Sequence, residues 1–273
     1  MLNAAIDHLN EDIIQVSNWA HLHGLALNPN KTKAIIFGSS ANLAYLSTFV
    51  PPPLLVDNQP IKLVHQVKCL GVILTADLSW NAHIFSVSSK VHGVLHKLRT
   101  RGWLLPLETK RMLVQAFALP HLDYACLVYN DIPVYLKLKV QRLANAGIRF
   151  IFNLRRDTSI TPYRVQLGWT TMETRRTSFL GCEAYKVLTK RRPLSLYESL
   201  QPMFGEVRRS QRLNTPQIEV PACRTSALQC SFFISAATLL SSLPARIFAS
   251  PTLAVFRKIL RDFLSENGNN TRN

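Results

Sequence analysis

"LALNPNKTKAIIFGSS", residues 25–40, sets an Asn-Pro-Asn turn, two lysines and a threonine ahead of a short apolar run. Pro29 fixes φ and the flanking asparagines tolerate unusual backbone angles, so a turn is expected, followed by a strand over Ala34–Phe37. The turn explains neither Lys31 nor Lys33, which put charge at the entrance of an apparently buried strand. Upstream, Leu2, Ile6, Leu9, Ile13, Val16 and Ala20 recur at helical spacing, and Gly24 stands where a helix stops, which predicts a helix over 4–23. Downstream, "PPPLL" breaks any helix. Two short strands are expected around Asp57-Asn58, and "VKCLGVILT" is expected as a third. The N-terminal part therefore reads as a helix on a small antiparallel sheet.

From Trp80 the pattern turns helical. Ile84, Val87, Val91, Leu95 and Leu98 mark one helix, and Met112, Leu113, Ala116 and Phe117 a second apolar face. Leu136, Val140, Leu143, Gly147, Ile148 and Ile151 mark a third, with Pro106, Pro120 and Pro133 expected at helix edges. Further helices are expected near 172–190 and at the C-terminal end, where Ser250 would cap a helix with Pro251 in its first turn. The fold class is α+β and mostly helical. The divisions expected are residues 1–79, a helical region 80–155, and a mostly helical region 156–273.

The 273 residues carry 32 Lys and Arg against 16 Asp and Glu, a formal charge of +16. Such an excess favours polyanions, nucleic acid foremost. Lys90, Lys97 and Arg101 share one helical line, Arg142 and Arg149 another, and Arg208, Arg209 and Arg212 make a basic joint in "GEVRRSQRLN". Five cysteines, an odd number without a CxxC pair, fit reduced thiols filling a core in an intracellular protein, nuclear or cytoplasmic. No signal peptide or membrane partner is expected. The uncharged stretch 226–244 carries serines and Gln229 and ends at Pro244, as a buried helix running into a turn would. His92 and His96 lie four apart without the glutamate of HExxH, so no metal is assigned to them. His21 and His23 suit the positive character favoured at a helix end.

In order, "GLALNPNKTKAIIFG", "VKCLGVIL", "LSWNAHI", "LDYACLVY", "VQRLANAGIRFI" and "TMETRR" resemble the distal palm, thumb and C-terminal region of reverse transcriptases from jockey-like non-LTR retrotransposons. The C-terminal "VPACRTS" and "FFISAATLLSSLPARIFASPTLAVFRKIL" resemble the end of the same elements. The resemblance implies a palm remnant over 1–79, with one strand edge and part of its helix's apolar face left exposed because the palm strands that normally pair with it are missing, a thumb over 80–155, and template–primer RNA and DNA as partners. It implies that Lys31 and Lys33 lie near nucleotide phosphates, Lys31 being placed to stabilise or protonate the pyrophosphate leaving group. Such polymerases hold Mg²⁺ with facing carboxylates, including an aromatic-x-Asp-Asp hairpin. The chain begins where that hairpin would end and has no adjacent Asp pair, and Asp123 in "LDYA" is no substitute. A polymerase fragment that binds nucleic acid without catalysis is expected. The alternatives are a free-standing basic RNA-binding protein and a non-functional product of a decayed element.

Overall fold

The computed structural model describes residues 2–46, 51–102, 104–203, 218–244, 247 and 250–270. It divides into two compact units, Met1–Ser86 and Val87–Asn273.

The first unit opens with α1 (Leu2–Leu22). The helix stops where expected. Gly24 takes φ +69°, and the Leu25 and Gly24 amides turn back to the carbonyls of Ala20 and His21. Six short strands follow in three separate pairs. β1 (Lys33–Ala34) runs parallel to β4 (Lys62–Leu63), so the sheet content is not wholly antiparallel. β2 (Leu55–Val56) and β3 (Gln59–Pro60) form the hairpin expected around Asp57-Asn58, whose φ values of 48° and 63° match the twist of the flanking strands. "VKCLGVILT" is a second hairpin rather than one strand: β5 (Gln66–Cys69) pairs with β6 (Val72–Thr75) about Leu70 and Gly71, both at positive φ. An unbroken apolar run concealed this turn. The expected strand Ala34–Phe37 shortens to Lys33–Ala34, because its bonding is spread over two partners. Ala34 accepts from the Val64 amide, whereas Gly38 donates to the Ala76 carbonyl. Nor is the run buried, since Phe37 is 45% exposed.

Asn10 fastens α1 to this unit, its amide oxygen accepting from the Leu55 amide at 3.0 Å and its nitrogen donating to the Pro53 carbonyl. Ser17 donates to Asp57 in the β2–β3 turn. Ile6, Ala20 and Val56 are buried, while Leu9, Val16, Trp19 and Leu22 on α1 are exposed. Part of the helix's apolar face is thus open, as expected. α2 (Ser40–Leu46) completes the unit before α3 (Asn81–Arg101) begins in it, with Ile84 fully buried.

In the second unit, α4 (Leu107–Leu113) passes through a π turn (Val114–Ala118) into α5 (Leu119–Asp123). Pro120 therefore sits inside one helical run and does not end it. Proline cannot donate to the fourth preceding carbonyl, and the wider turn accommodates that loss. The extra residue also shifts the apolar face. Val114, Ala118, Leu119 and Leu122 are buried, whereas Met112 and Phe117 are exposed, contrary to the face expected from a uniform helical period.

α6 (Val134–Phe152) buries every one of its six expected apolar positions. A short α7 (Thr161–Gln166) leads to α8 (Met172–Lys190), capped by Thr171, whose hydroxyl accepts from the Thr174 amide. α9 (Leu194–Leu200), α10 (Ser226–Gln229), α11 (Phe232–Ser241) and α12 (Leu253–Asn270) follow. α8 packs on α11 and α12 closely enough that a Cβ on Gly181 would fall 2.6 Å from a Leu260 methyl. Leu180, Val187, Leu240, Ile247, Phe256 and Leu260 form the core there. α12 is capped by Thr252, which accepts from the Val255 amide, and not by Ser250, whose buried hydroxyl donates to Ile247. Among the described residues no helix is long and apolar enough to cross a membrane. Cys126 and Cys182 are buried, but Cys69 is exposed in a hairpin and is not core filler.

Candidate nucleic-acid interface

Asn28 builds the turn that begins at Pro29. Its side-chain oxygen accepts from the amides of Asn30 and Lys31, and its carbonyl accepts from the Thr32 amide and hydroxyl. The capping work thus falls to Asn28 and Thr32. The Lys31 side chain is exposed and makes no hydrogen bond or ion pair among the described residues. Lys33, also exposed, stands in register with Lys62 across the parallel pair. Like charges placed side by side on neighbouring strands repel. A bound anion would relieve this pair, and Lys62 was not legible as its partner because parallel pairing to β4 leaves no local signal.

On α3, Lys90 and Lys97 are exposed two turns apart, on one face, while Val91 and Leu95 are buried. Arg101 is the last residue of α3, and its side chain lies outside the described residues. His92 and His96 are exposed, and no group of three metal-ligating side chains occurs among the described residues. The joint holding Arg208, Arg209 and Arg212 lies outside the described residues.

On α6, Arg142 is exposed. Arg149 is half-buried and donates to the Arg156 carbonyl at 3.2 Å, so it ties down the turn after the helix. That turn exposes Arg155 and Arg156, which add to the basic line. Positive charge is favoured there, because the last carbonyls of a helix carry negative partial charge. Lys110 exploits the same helix end from inside. It is 3% exposed, donates to Asn153 at 3.0 Å and lies over the Phe150 ring. Its burial was not foreseeable from "LETKRML", where it looks like a surface lysine.

Asp123 is half-buried and bound by both Nε and Nη2 of Arg175, at 2.7 and 2.6 Å. This bidentate pair raises the Arg175 pKa and gives Asp123 a structural partner. The adjacent Arg176 lies over the Tyr129 ring at 4.8 Å. Burial pushes the Tyr129 phenol up to about 12, against the opposing charge of Arg176. Burial likewise raises the Cys126 thiol, which makes it a poor nucleophile.

The architecture is that of an α+β, mostly helical chain carrying basic side chains on a turn, on two helix faces and after α6. No protein-family model matches it, and no solved structure matches it. Its sequence is similar to the probable RNA-directed DNA polymerase from transposon X-element of Drosophila melanogaster, 22% identical over 132 residues. The similar region covers 46% of this chain and 13% of that protein.

Proposed function

We propose that this chain is a segment of a jockey-like non-LTR retrotransposon reverse transcriptase, gripping template–primer nucleic acid without itself performing phosphoryl transfer. The similarity to the X-element polymerase carries this reading, and the charge of +16 supplies the physical basis for binding. Lys90, Lys97, Arg101 and Arg142 contact phosphates, and Arg155 and Arg156 extend that surface. Such contacts position a duplex without reading its sequence. Lys31, Lys33 and Lys62 form a second anion-facing group in the first unit. In the intact polymerase Lys31 would meet the pyrophosphate leaving group, where an ammonium stabilises developing charge. Mg²⁺ chemistry needs facing carboxylates. Asp123 is committed to Arg175, and the sequence offers no adjacent Asp pair, so the residues present do not fit the ion.

Titrating the chain against an RNA–DNA duplex at increasing salt tests this reading. If about five phosphates are neutralised, log K falls against log salt with a slope of roughly −4. Replacing Lys90, Lys97 and Arg101 together by Gln should weaken binding to all sequences alike and flatten the slope by about two to three. A folded triple variant with unchanged slope would remove α3 from the interface. No binding at low salt would overturn the proposal. Supplied with Mg²⁺, primed template and nucleotides, the chain should extend nothing.

A further inference from the structure

A groove of about 910 Å³ runs between α6, α8 and the α10–α11 segment, wholly within the second unit. Its walls mix apolar faces from Leu138, Met172 and Leu239 with amide and hydroxyl groups from Gln141, Gln229 and Thr238. Lys137, Arg164 and Arg176 border it, against one acid, Glu173. Arg176 is the unusual member. It is 8% exposed, and its Nε and Nη2 are buried without a hydrogen-bond partner. Its neighbour Arg175 takes the carboxylate of Asp123, leaving Arg176 the face of Tyr129. Among the described residues no carboxylate pairs with Arg176. A buried guanidinium lacking a carboxylate is costly, and its field is weakly screened in apolar surroundings. The groove beside it is therefore a place where an anion is stabilised.

We propose that this groove binds a nucleoside monophosphate unit. The phosphate is held by Lys137 and Arg164 in the field of Arg176. The base lies on the apolar wall within reach of the Gln229 amide. A fatty carboxylate would leave the amides and hydroxyls unmatched, and inorganic phosphate would leave the apolar wall empty. The unit is either a free nucleotide or the phosphorylated end of a strand. The inference stands apart from the polymerase reading, because its residues differ from those assigned to duplex phosphates.

Isothermal titration of the full chain with AMP, adenosine and inorganic phosphate tests the groove. AMP should bind at roughly millimolar or tighter, and adenosine about tenfold to a hundredfold more weakly, the range for losing charge-assisted bonds. Arg176→Met should weaken AMP by a similar factor. Should that variant not fold, Thr238→Trp fills the groove from an exposed position and should abolish AMP binding with the melting temperature unchanged. Competition by 5′-phosphorylated but not 5′-hydroxyl oligonucleotide assigns the site to strand ends, and no competition by either assigns it to free nucleotide. No binding of AMP, equal binding of AMP and adenosine, or normal AMP binding by Thr238→Trp would overturn the proposal. The duplex salt slope should be unchanged in Thr238→Trp, so failure here is separable from failure of the polymerase reading.

Discussion

Residues 1–86 and 87–273 present comparable amphipathic patterns and bury them to different depths. In the first unit a 21-residue helix meets β-structure that comes only in pairs, the longest of them four residues per strand. Two-stranded ribbons are marginal alone and too narrow to cover such a helix. Leu9, Ile14, Val16, Trp19 and Leu22 are accordingly exposed. In the second unit α8 is enclosed by α6, α9, α11 and α12, and Leu200, Ile247, Phe256 and Leu260 lose all contact with solvent. A hydrophobic stripe records that a helix has a face to bury. It does not record whether the same chain provides the surface that buries it.

The comparison is most easily broken at Phe256, fully buried and stacked on Tyr185 at 4.4 Å. Phe256→Ala should cost about 3–5 kcal/mol, read from denaturant unfolding of the second unit. Trp19→Ala in the first unit removes a larger ring, but one that is 57% exposed, and should cost far less. Equal losses would show that α1 is covered after all.

Asp123→Asn should cost about 1.5–3 kcal/mol, because it leaves the part-buried Arg175 with a neutral partner in place of a bidentate carboxylate. The same substitution in a polymerase site would affect chemistry instead, so a stability loss without any effect on nucleic-acid affinity confirms the structural role.

Tyr129 gives the second unit an alkaline limit. Its folded pKa of about 12 lies above the ordinary value of 10, so the neutral phenol is favoured by folding. That contribution is complete below pH 10 and is lost as pH rises toward 12. Thermal melts between pH 9 and 12 should fall more steeply for the wild type than for Tyr129→Phe. Asp77 acts in the opposite sense in the first unit. Bonds from the Thr75 hydroxyl and the Ser79 amide hold its pKa down, so its contribution is present above the unfolded value and fades on acidification below it. Asp77→Asn should blunt the acid sensitivity of amide exchange in β5–β6.

The smallest effect is expected at Leu70, a leucine 87% exposed at φ 45° in the β5–β6 turn. Leu70→Asn suits that backbone and should stabilise the hairpin slightly, visible as slower amide exchange.

Helices with unbroken periods were legible, α6 down to its six buried positions and α8 in its bounds, because burial on one side follows directly from spacing. The β2–β3 turn was legible from Asp57-Asn58. The β5–β6 turn was not, since Leu70 carries no turn chemistry and only Gly71 betrays it. Nor could spacing locate the inner face of α4–α5, because the π turn breaks the period on which spacing depends. For the candidate interface, sequence named lysines and arginines by their lines on helices. It could not distinguish Arg149, which ties a turn, from Arg142, which is open. It also passed over Lys62, Lys110 and Arg176, whose surroundings are made by segments distant in the chain.

The π turn at Val114–Ala118 also makes this stretch sensitive to length. Deleting one residue there would let an ordinary α-helix re-form with everything beyond it on the same face, because the π turn holds one residue more than an α turn. Inserting a residue instead would turn Leu119 and Leu122 by about 100° toward water and carry Asp123 away from the guanidinium of Arg175. Substitution or removal of Gln115, which is exposed, should therefore spare the pairing of Asp123 with Arg175, while a residue inserted beside it should break that pairing. Residue number, more than residue identity, is what that turn stores.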